Sequence, residues 1–370
     1  MKRRAVLGSL GSALAVTMAS AASKKTALSE QTALSEQTAA SRISCASIKK
    51  PHALKLIKPA RLQQGMTIGL IAPASNAPDN EGIRFASAVI KSLGFAVKEG
   101  RYLYARNLYF AGTDRERADD INTMFSDKDV DAIFCVRGGW GSPRTLPYID
   151  FENARRNPKV FMGYSDITAV LSALYRKSGL VSFHGPIAKQ NYTPYTLSEF
   201  KKVLKNPQDN TVIASPPPFV AGEGWVEEEN RLTRVVGGRA NGPLVGGNLS
   251  LLSKLIGTPY EPDFSGAILV LEDVDESPYR IDAMLTQLWL SGRLAQVAGI
   301  AIGKFTDAEY DGNSFSVESV IRQHFLPLKI PVISGLMIGH IDDMSIIPIG
   351  ILAELDVDAG TLKLVEPAVV

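Results

Sequence analysis

Between Gly65 and Tyr175 short apolar runs alternate with segments of helical spacing, and that alternation restricts the possible folds more than anything else in the chain. Thr67-Ile-Gly-Leu-Ile-Ala72, Phe95-Ala-Val-Lys98, Asp131-Ala-Ile-Phe-Cys-Val136 and Val160 to Met162 read as strands. Gly82 to Leu93 has helical periodicity and stops at Gly94, and Thr113-Asp-Arg-Glu116 resembles a capping box that opens a helix to about Phe125. Strands without a polar face must be covered on both sides. The pattern therefore predicts an α/β domain, doubly wound around a mostly parallel sheet. Ligands of such sheets lie beyond the carboxyl ends of the strands. Pro73-Ala-Ser75, Arg137-Gly-Gly-Trp-Gly141 and Gly163-Tyr-Ser165 all fall at strand ends, so they are expected to share one crevice.

A second unit follows. Ser215-Pro-Pro-Pro-Phe219 and Gly222-Glu-Gly-Trp225 interrupt regular structure, and residues 191–241 read as a linker with some short strands. Beyond it, Leu249 to Leu255 reads as a buried helix and Ala267 to Leu271 as a strand ending at Glu272. Arg280 to Leu290 reads as an amphipathic helix and Val297 to Ile302 as a strand. Ile346 to Val357 and Thr361 to Val365 read as closing antiparallel strands. The expected organisation is a domain over 59–190 and a smaller α/β domain over 242–370 with β-barrel-like character, facing each other across a cleft.

The first residues serve export rather than the fold. Lys2-Arg3-Arg4, the small apolar run Ala5 to Ser20 and Ala19-Ser20-Ala21 fit a signal peptide over 1–21. The paired arginines also permit twin-arginine export, and ordinary secretion is the alternative. The run is too short and too rich in Ala, Gly and Ser for a stable membrane span, and the expected destination is the periplasm. Residues 22–58 read as a disordered tether, in which Thr26-Ala-Leu-Ser-Glu-Gln31 repeats as Thr32-Ala-Leu-Ser-Glu-Gln37.

The formal charge of +2 is misleading, because residues 1–60 hold ten Lys or Arg against two acids. The remainder carries about −6 and has no basic stripe to neutralise phosphates, which disfavours nucleic-acid binding. Two cysteines, Cys45 in the tether and Cys135 in an apolar run, make no disulfide framework. Together with four histidines they show no metal-ligand spacing, so no metal and no cofactor are expected.

Several motifs could carry chemistry, each with a plainer alternative. In Phe161-Met-Gly-Tyr-Ser-Asp166 a strand stops at a glycine and a serine opens a helix. A hydroxyl held there projects from the sheet toward backbone N–H groups, which suits a nucleophile; a simple N-cap is the other reading. Gly138-Gly139-Trp140-Gly141 offers approachable backbone amides or only a tight turn, and no Gly-Lys-Ser/Thr follows to make it a phosphate loop. Arg137 could hold a substrate carboxylate or pair with an acid. Leu271-Glu-Asp-Val-Asp-Glu276 could orient a histidine or merely solvate a strand end. His340, in Ile338-Gly-His-Ile-Asp-Asp343, and His184, in Ser182-Phe-His-Gly-Pro186, are rival bases.

Together these segments resemble the LD-carboxypeptidase family of serine peptidases, which includes murein tetrapeptide carboxypeptidases and microcin-immunity peptidases. The matching stretches run in order from about Pro59 to the C-terminus: Ile71-Ala-Pro-Ala-Ser75, Val136-Arg-Gly-Gly-Trp-Gly-Ser142, Leu146-Pro-Tyr-Ile-Asp150, Gly163-Tyr-Ser-Asp166, His184-Gly-Pro186, Gly246-Gly-Asn-Leu249, Leu271-Glu-Asp273, Pro278-Tyr-Arg-Ile-Asp282, Gly339-His340 and Pro348-Ile-Gly350. The resemblance implies a triad of Ser165, Glu272 and His340, an oxyanion hole from the backbone N–H of Gly139 (or Gly138) and of Asp166, and a homodimer. It implies hydrolysis of the L,D-amide bond to a C-terminal D-alanine in murein tetrapeptides, with Ser75, Arg137 and Trp140 as substrate-binding candidates. A microcin-type peptide-nucleotide hydrolase is the alternative. An α/β-hydrolase esterase is disfavoured, because Gly163-Tyr-Ser-Asp-Ile167 lacks the second glycine of the nucleophile elbow. A periplasmic binding protein would share the export signal and bilobed shape without covalent chemistry. Many relatives act inside the cell, so the export signal is a departure.

Overall fold

The computed structural model describes residues 54–218, 220–227, 230–309 and 312–370. The expected signal peptide, residues 1–21, and residues 22–53 of the expected tether lie outside the described residues. The last tether residues are engaged with the fold: Ile57 forms a parallel bridge with Leu180, and Lys58 pairs with Glu366 at 2.8 Å. Regular contacts thus begin before Pro59.

The first sheet is built from β1 (Thr67–Ile71), β2 (Ala96–Glu99), β3 (Ala132–Cys135), β4 (Val160–Gly163) and β5 (Ser182–His184), all mutually parallel in the order β2-β1-β3-β4-β5. The connections carry α1 (Asn80–Ser92), α2 (Asp114–Ser126), α3 (Phe151–Arg156) and α4 (Thr168–Ser178). Every residue of β3 and β4 is buried, as expected of strands sandwiched between helices. The Thr113–Glu116 capping box at the start of α2 is formed reciprocally. Strand order reverses between β1 and β3, so the loops after these two strands diverge there and leave the crevice in which α/β sheets bind ligands.

The rest of the chain contributes α5 (Pro194–Phe200), β6 (Thr211–Ile213), a hairpin of β7 (Ala221–Gly222) and β8 (Trp225–Val226), β9 (Thr233–Val236), β10 (Arg239–Asn248), α6 (Leu249–Leu255), β11 (Ile268–Val274), α7 (Pro278–Leu290), β12 (Gly299–Thr306), α8 (Val317–Phe325), β13 (Val332–Ser334), β14 (Ile347–Ile349), β15 (Leu352–Asp356) and β16 (Thr361–Leu364). The second sheet has the order β6-β16-β15-β10-β11-β12-β13-β9. Its centre, β10 to β13, is parallel, and α6, α7 and α8 make the crossovers. Antiparallel strands flank it on both sides. No ladder joins β6 to β9 among the described residues.

Two segments depart from the sequence reading. Residues 191–241 hold the expected short strands, of which β6 and β9 join the second sheet, and also the helix α5, which the sequence reading did not place. Ile346 to Val357 is two strands, not one. β14 crosses to the first sheet and pairs antiparallel with β5, whereas β15 pairs with β10. Pro348 lies inside β14 and cannot donate to a ladder, which suits the edge of the first sheet. The larger hydrophobic core accordingly draws on both sheets, with Ile347 and Ile349 packed among Phe161, Phe183, Leu244 and Ile268.

Candidate active site

β4 ends at Gly163, where a side chain would press against Ile167 and Cys135. Tyr164 remains extended, and Ser165 then adopts φ 62°. A left-handed conformation costs a non-glycine residue about 1–2 kcal/mol, so the turn carries strain at the serine itself. A tight helical turn over Ser165–Ile167 leads into α4. No side-chain cap bond is made at the start of either helical segment, which removes the plain N-cap explanation for Ser165.

The glycine loop after β3 lies against this turn. A methyl group at Gly138 would come within 3.0 Å of Ser165 Cβ and 3.3 Å of its Oγ. Gly139 has φ +99°, and a side chain there would meet Ser75 Oγ at 2.5 Å. Ser75 braces the loop from below: its hydroxyl accepts the Trp140 N–H at 3.0 Å, and its own N–H donates to Gly138 O at 3.3 Å. With 5 % of its surface exposed, Ser75 supports the glycine loop from beneath, next to the serine turn. Arg137 Nη1 donates to Asn76 O at 2.8 Å, tying together the loops after β1 and β3, and it pairs with no acid among the described residues. Trp140 is exposed, with the Lys254 ammonium 5.0 Å from its ring centre. Asp166 is buried. Its carboxylate accepts the Ser142 N–H at 2.7 Å, and its carbonyl accepts the Ser142 hydroxyl, so the end of the glycine loop is laced to the serine turn. Burial pushes the Asp166 carboxyl up, and the Ser142 N–H and hydroxyl partly offset this. The Gly138 and Gly139 amides donate to no backbone carbonyl among the described residues.

The acid comes from the second sheet, and the imidazole from the loop between β13 and β14. β11 runs past its expected end to Val274, so Glu272 lies within the strand, paired with Asn248 of β10 and fully buried. His340 Nδ1 is 2.8 Å from Glu272 Oε2. Gly339 makes that approach possible, because a side chain there would meet the same Oε2 at 3.1 Å. With Nδ1 held by the carboxylate, Nε2 is the nitrogen left for proton transfer. Burial penalises the Glu272 charge, but the His184 and His340 imidazoles outweigh that penalty and hold its carboxyl at about 2.

Tyr164, next to the serine, links the two halves. Its ring packs edge-on against His340 at 4.7 Å and faces His184 at 6.1 Å. Behind it, Thr168 Oγ1 accepts the Asn248 N–H at 3.1 Å, joining the first turn of α4 to the end of β10. No hydrogen bond joins Ser165 to His340 among the described residues. A cleft of about 780 Å³ opens beside His340, and Lys304, Thr306 and Ser334 are among the residues that line it.

The rival carboxylates are committed elsewhere. Asp273 accepts the Asn248 side-chain amide and the Ser250 N–H, each at 2.8 Å. Glu276 binds the Ser250 hydroxyl at 3.1 Å and pairs with Arg280 at 3.4 Å. His324 pairs with Asp282 at 2.6 Å, and His52 lies outside the described residues. Sequence reasoning missed Tyr164, Ser142 and Thr168, and it treated His184 as a competitor of His340 when both face one carboxylate. The position of His184 at the end of β5, next to β4, was the available signal.

Residues 68–185 match the LD-carboxypeptidase N-terminal domain and residues 241–355 the LD-carboxypeptidase C-terminal domain. A Bacillus subtilis protein named "Probable murein peptide carboxypeptidase" is 38% identical over 306 residues, covering 81% of this chain and 91% of its own. The structure of muramoyltetrapeptide carboxypeptidase from Oxalobacter formigenes is 32% identical with a TM-score of 0.67, covering 81% of this chain and 98% of that one. The structure of MccF in complex with glutamyl sulfamoyl guanosine is 26% identical with a TM-score of 0.78, covering 85% of this chain and 99% of that one. The two-domain, mixed α/β architecture is thus shared with both, and the chain belongs to the LD-carboxypeptidase family of serine peptidases.

Proposed function

We propose that this serine carboxypeptidase hydrolyses the L,D-amide bond to the terminal D-alanine of murein tetrapeptides, with Ser165 as nucleophile, His340 as general base and Glu272 as the group that orients it. The observation that carries the reading is the His340–Glu272 contact at 2.8 Å, with the His340 ring edge-on to Tyr164, the residue before Ser165. His340 Nε2 takes the Ser165 proton as the oxygen attacks the carbonyl. Glu272 fixes the imidazole tautomer and stabilises the imidazolium. The N–H of Gly139 (or Gly138) and that of Asp166 receive the oxyanion, an effect of about 3–4 kcal/mol per donor. His340 then protonates the leaving amine, and water repeats the sequence on the acyl-enzyme.

A second reading, hydrolysis of a microcin-type peptide–nucleotide conjugate, is favoured by the higher TM-score to MccF; the sequence identity favours the murein substrate. Mass spectrometry of purified enzyme with a murein tetrapeptide and, separately, with an acyl-sulfamoyl nucleoside distinguishes them. Release of D-alanine is expected. Cleavage of the conjugate alone would overturn the murein assignment. The signal-peptide reading of residues 1–21 supports a periplasmic enzyme, and fractionation of cells producing the full chain tests it. The family resemblance supports a homodimer, which light scattering would detect.

A further inference from the structure

We infer that His184 is a positioning residue that holds the second oxygen of Glu272 while His340 takes the first; this rests on the triad reading above. His184 Nε2 lies 3.5 Å from Glu272 Oε1, and both side chains are fully buried. Among the described residues neither atom makes a hydrogen bond, and His184 Nδ1 makes none either. Buried polar groups are seldom left unused, and a carboxylate with a single donor in a dry site is poorly stabilised. A shift of a few tenths of an ångström would close the Nε2–H···Oε1 bond.

The seat of the ring explains why it belongs to this pair. His184 ends β5, in register with Gly163 of β4 and Ile347 of β14. Its edge abuts β10, where a side chain at Gly247 would strike its Cδ2 at 2.9 Å. It therefore reaches from the sheet that carries Ser165 to the carboxylate on the other sheet. A proton on His184 Nε2 would be donated to Oε1 while His340 Nδ1 serves Oε2, so the two imidazoles hold separate oxygens of one carboxylate. The other ionisable groups facing the pair are Asp273, held by Asn248 and Ser250, and the Tyr164 phenol, pushed up to about 12 by burial and by Glu272 and Asp342. Neither can replace the donor: Asp273 carries a like charge, and the phenol makes no hydrogen bond to the carboxylate.

Loss of the donor makes Glu272 more basic, so the Glu272–His340 pair binds its shared proton more tightly. The acid limb of the kcat/KM profile must then move to higher pH. His184→Phe is expected to lower kcat about tenfold or more with KM within about threefold, and to raise the acid limb by about half a unit. His184→Gln, whose amide nitrogen reaches the Nε2 position, is expected to recover most of the rate and to restore the limb. A folded His184→Phe enzyme with an unshifted acid limb, or equal losses in both variants with the limb unmoved, would leave His184 a packing residue and overturn the inference. Should His184→Phe not fold, imidazole 15N shifts in wild type and Glu272→Gln decide: the His184 ring must respond to Glu272→Gln, and no response overturns the inference. That readout needs no substrate. A wild-type protein that never releases D-alanine would refute the murein reading and leave the test of His184 intact.

Discussion

Asp120 and Glu272 are both buried carboxylates, one in each half of the molecule, and their acidities move in opposite directions. Burial raises Asp120 to about 6, only partly offset by the backbone amides of Tyr102 and Arg101. Glu272 suffers the same burial and is nonetheless held at about 2, because two imidazoles face it. Around Asp120 and the serine turn the contacts are to backbone: a left-handed serine, a glycine loop and carboxylates that accept amides. Around Glu272 they are two imidazoles. In the proposed mechanism the nucleophile and oxyanion donors need geometry and the general base needs a field, and the two demands fall on different parts of the fold.

Removing the field should have the largest effect. Glu272→Gln keeps the shape but loses the charge that fixes the His340 tautomer, and kcat should fall about 10³–10⁴-fold in a steady-state assay. The same variant tests the linkage. The Glu272 pKa is depressed below its ordinary 4.5, so its contribution to stability is complete above that pH and is lost as pH falls toward about 2. Thermal melts should show the wild type losing more stability than the variant across that window.

Disturbing the geometry comes next. Gly139→Ala places a methyl against Ser75 Oγ and forces a side chain into φ +99°. Activity should fall about 10²-fold, as for the loss of one oxyanion donor, with a stability loss of about 1–2 kcal/mol measured by urea unfolding. A stable variant of normal activity would show that the glycine loop plays no part in catalysis.

Asp120→Asn should have the smallest effect and the opposite sign. The raised pKa means that the native state gains from the protonated carboxyl at low pH and loses that gain as pH rises from about 4 to about 6. Asparagine keeps an acceptor for the Tyr102 N–H without the charge. The difference in Tm between variant and wild type should shift in favour of the variant as pH rises from about 4 to 7, with kcat unchanged. A constant difference would mean that Asp120 titrates normally.

The sequence made the first half legible. Apolar runs, a capping box and glycines at strand ends placed β1, β3 and β4 to within a residue or two, and the serine turn with them. Those signals are local. The contacts that were missed are long-range. Nothing in Ile346 to Val357 announces that three residues leave for the other sheet, since both strands are apolar and the choice is made by which edge tolerates Pro348. His184 and His340 could not be ranked, because their relation depends on how β5 and β11 approach each other. The stretch from Ser215 to Trp225 looked irregular because of its Pro and Gly residues, although β6 before it and β9 after it pair with distant strands.

The central claim is that Ser165, at a strained turn on one sheet, and His340, held by Glu272 on the other, act as one unit. A double-mutant cycle on kcat/KM for D-alanine release, with Ser165→Ala, His340→Ala and both together, tests it most directly. The account predicts that each single variant loses about as much as the pair, on the order of 10⁴-fold or more. Losses that multiply, so that the double variant falls as far as the product of the two singles, would contradict it.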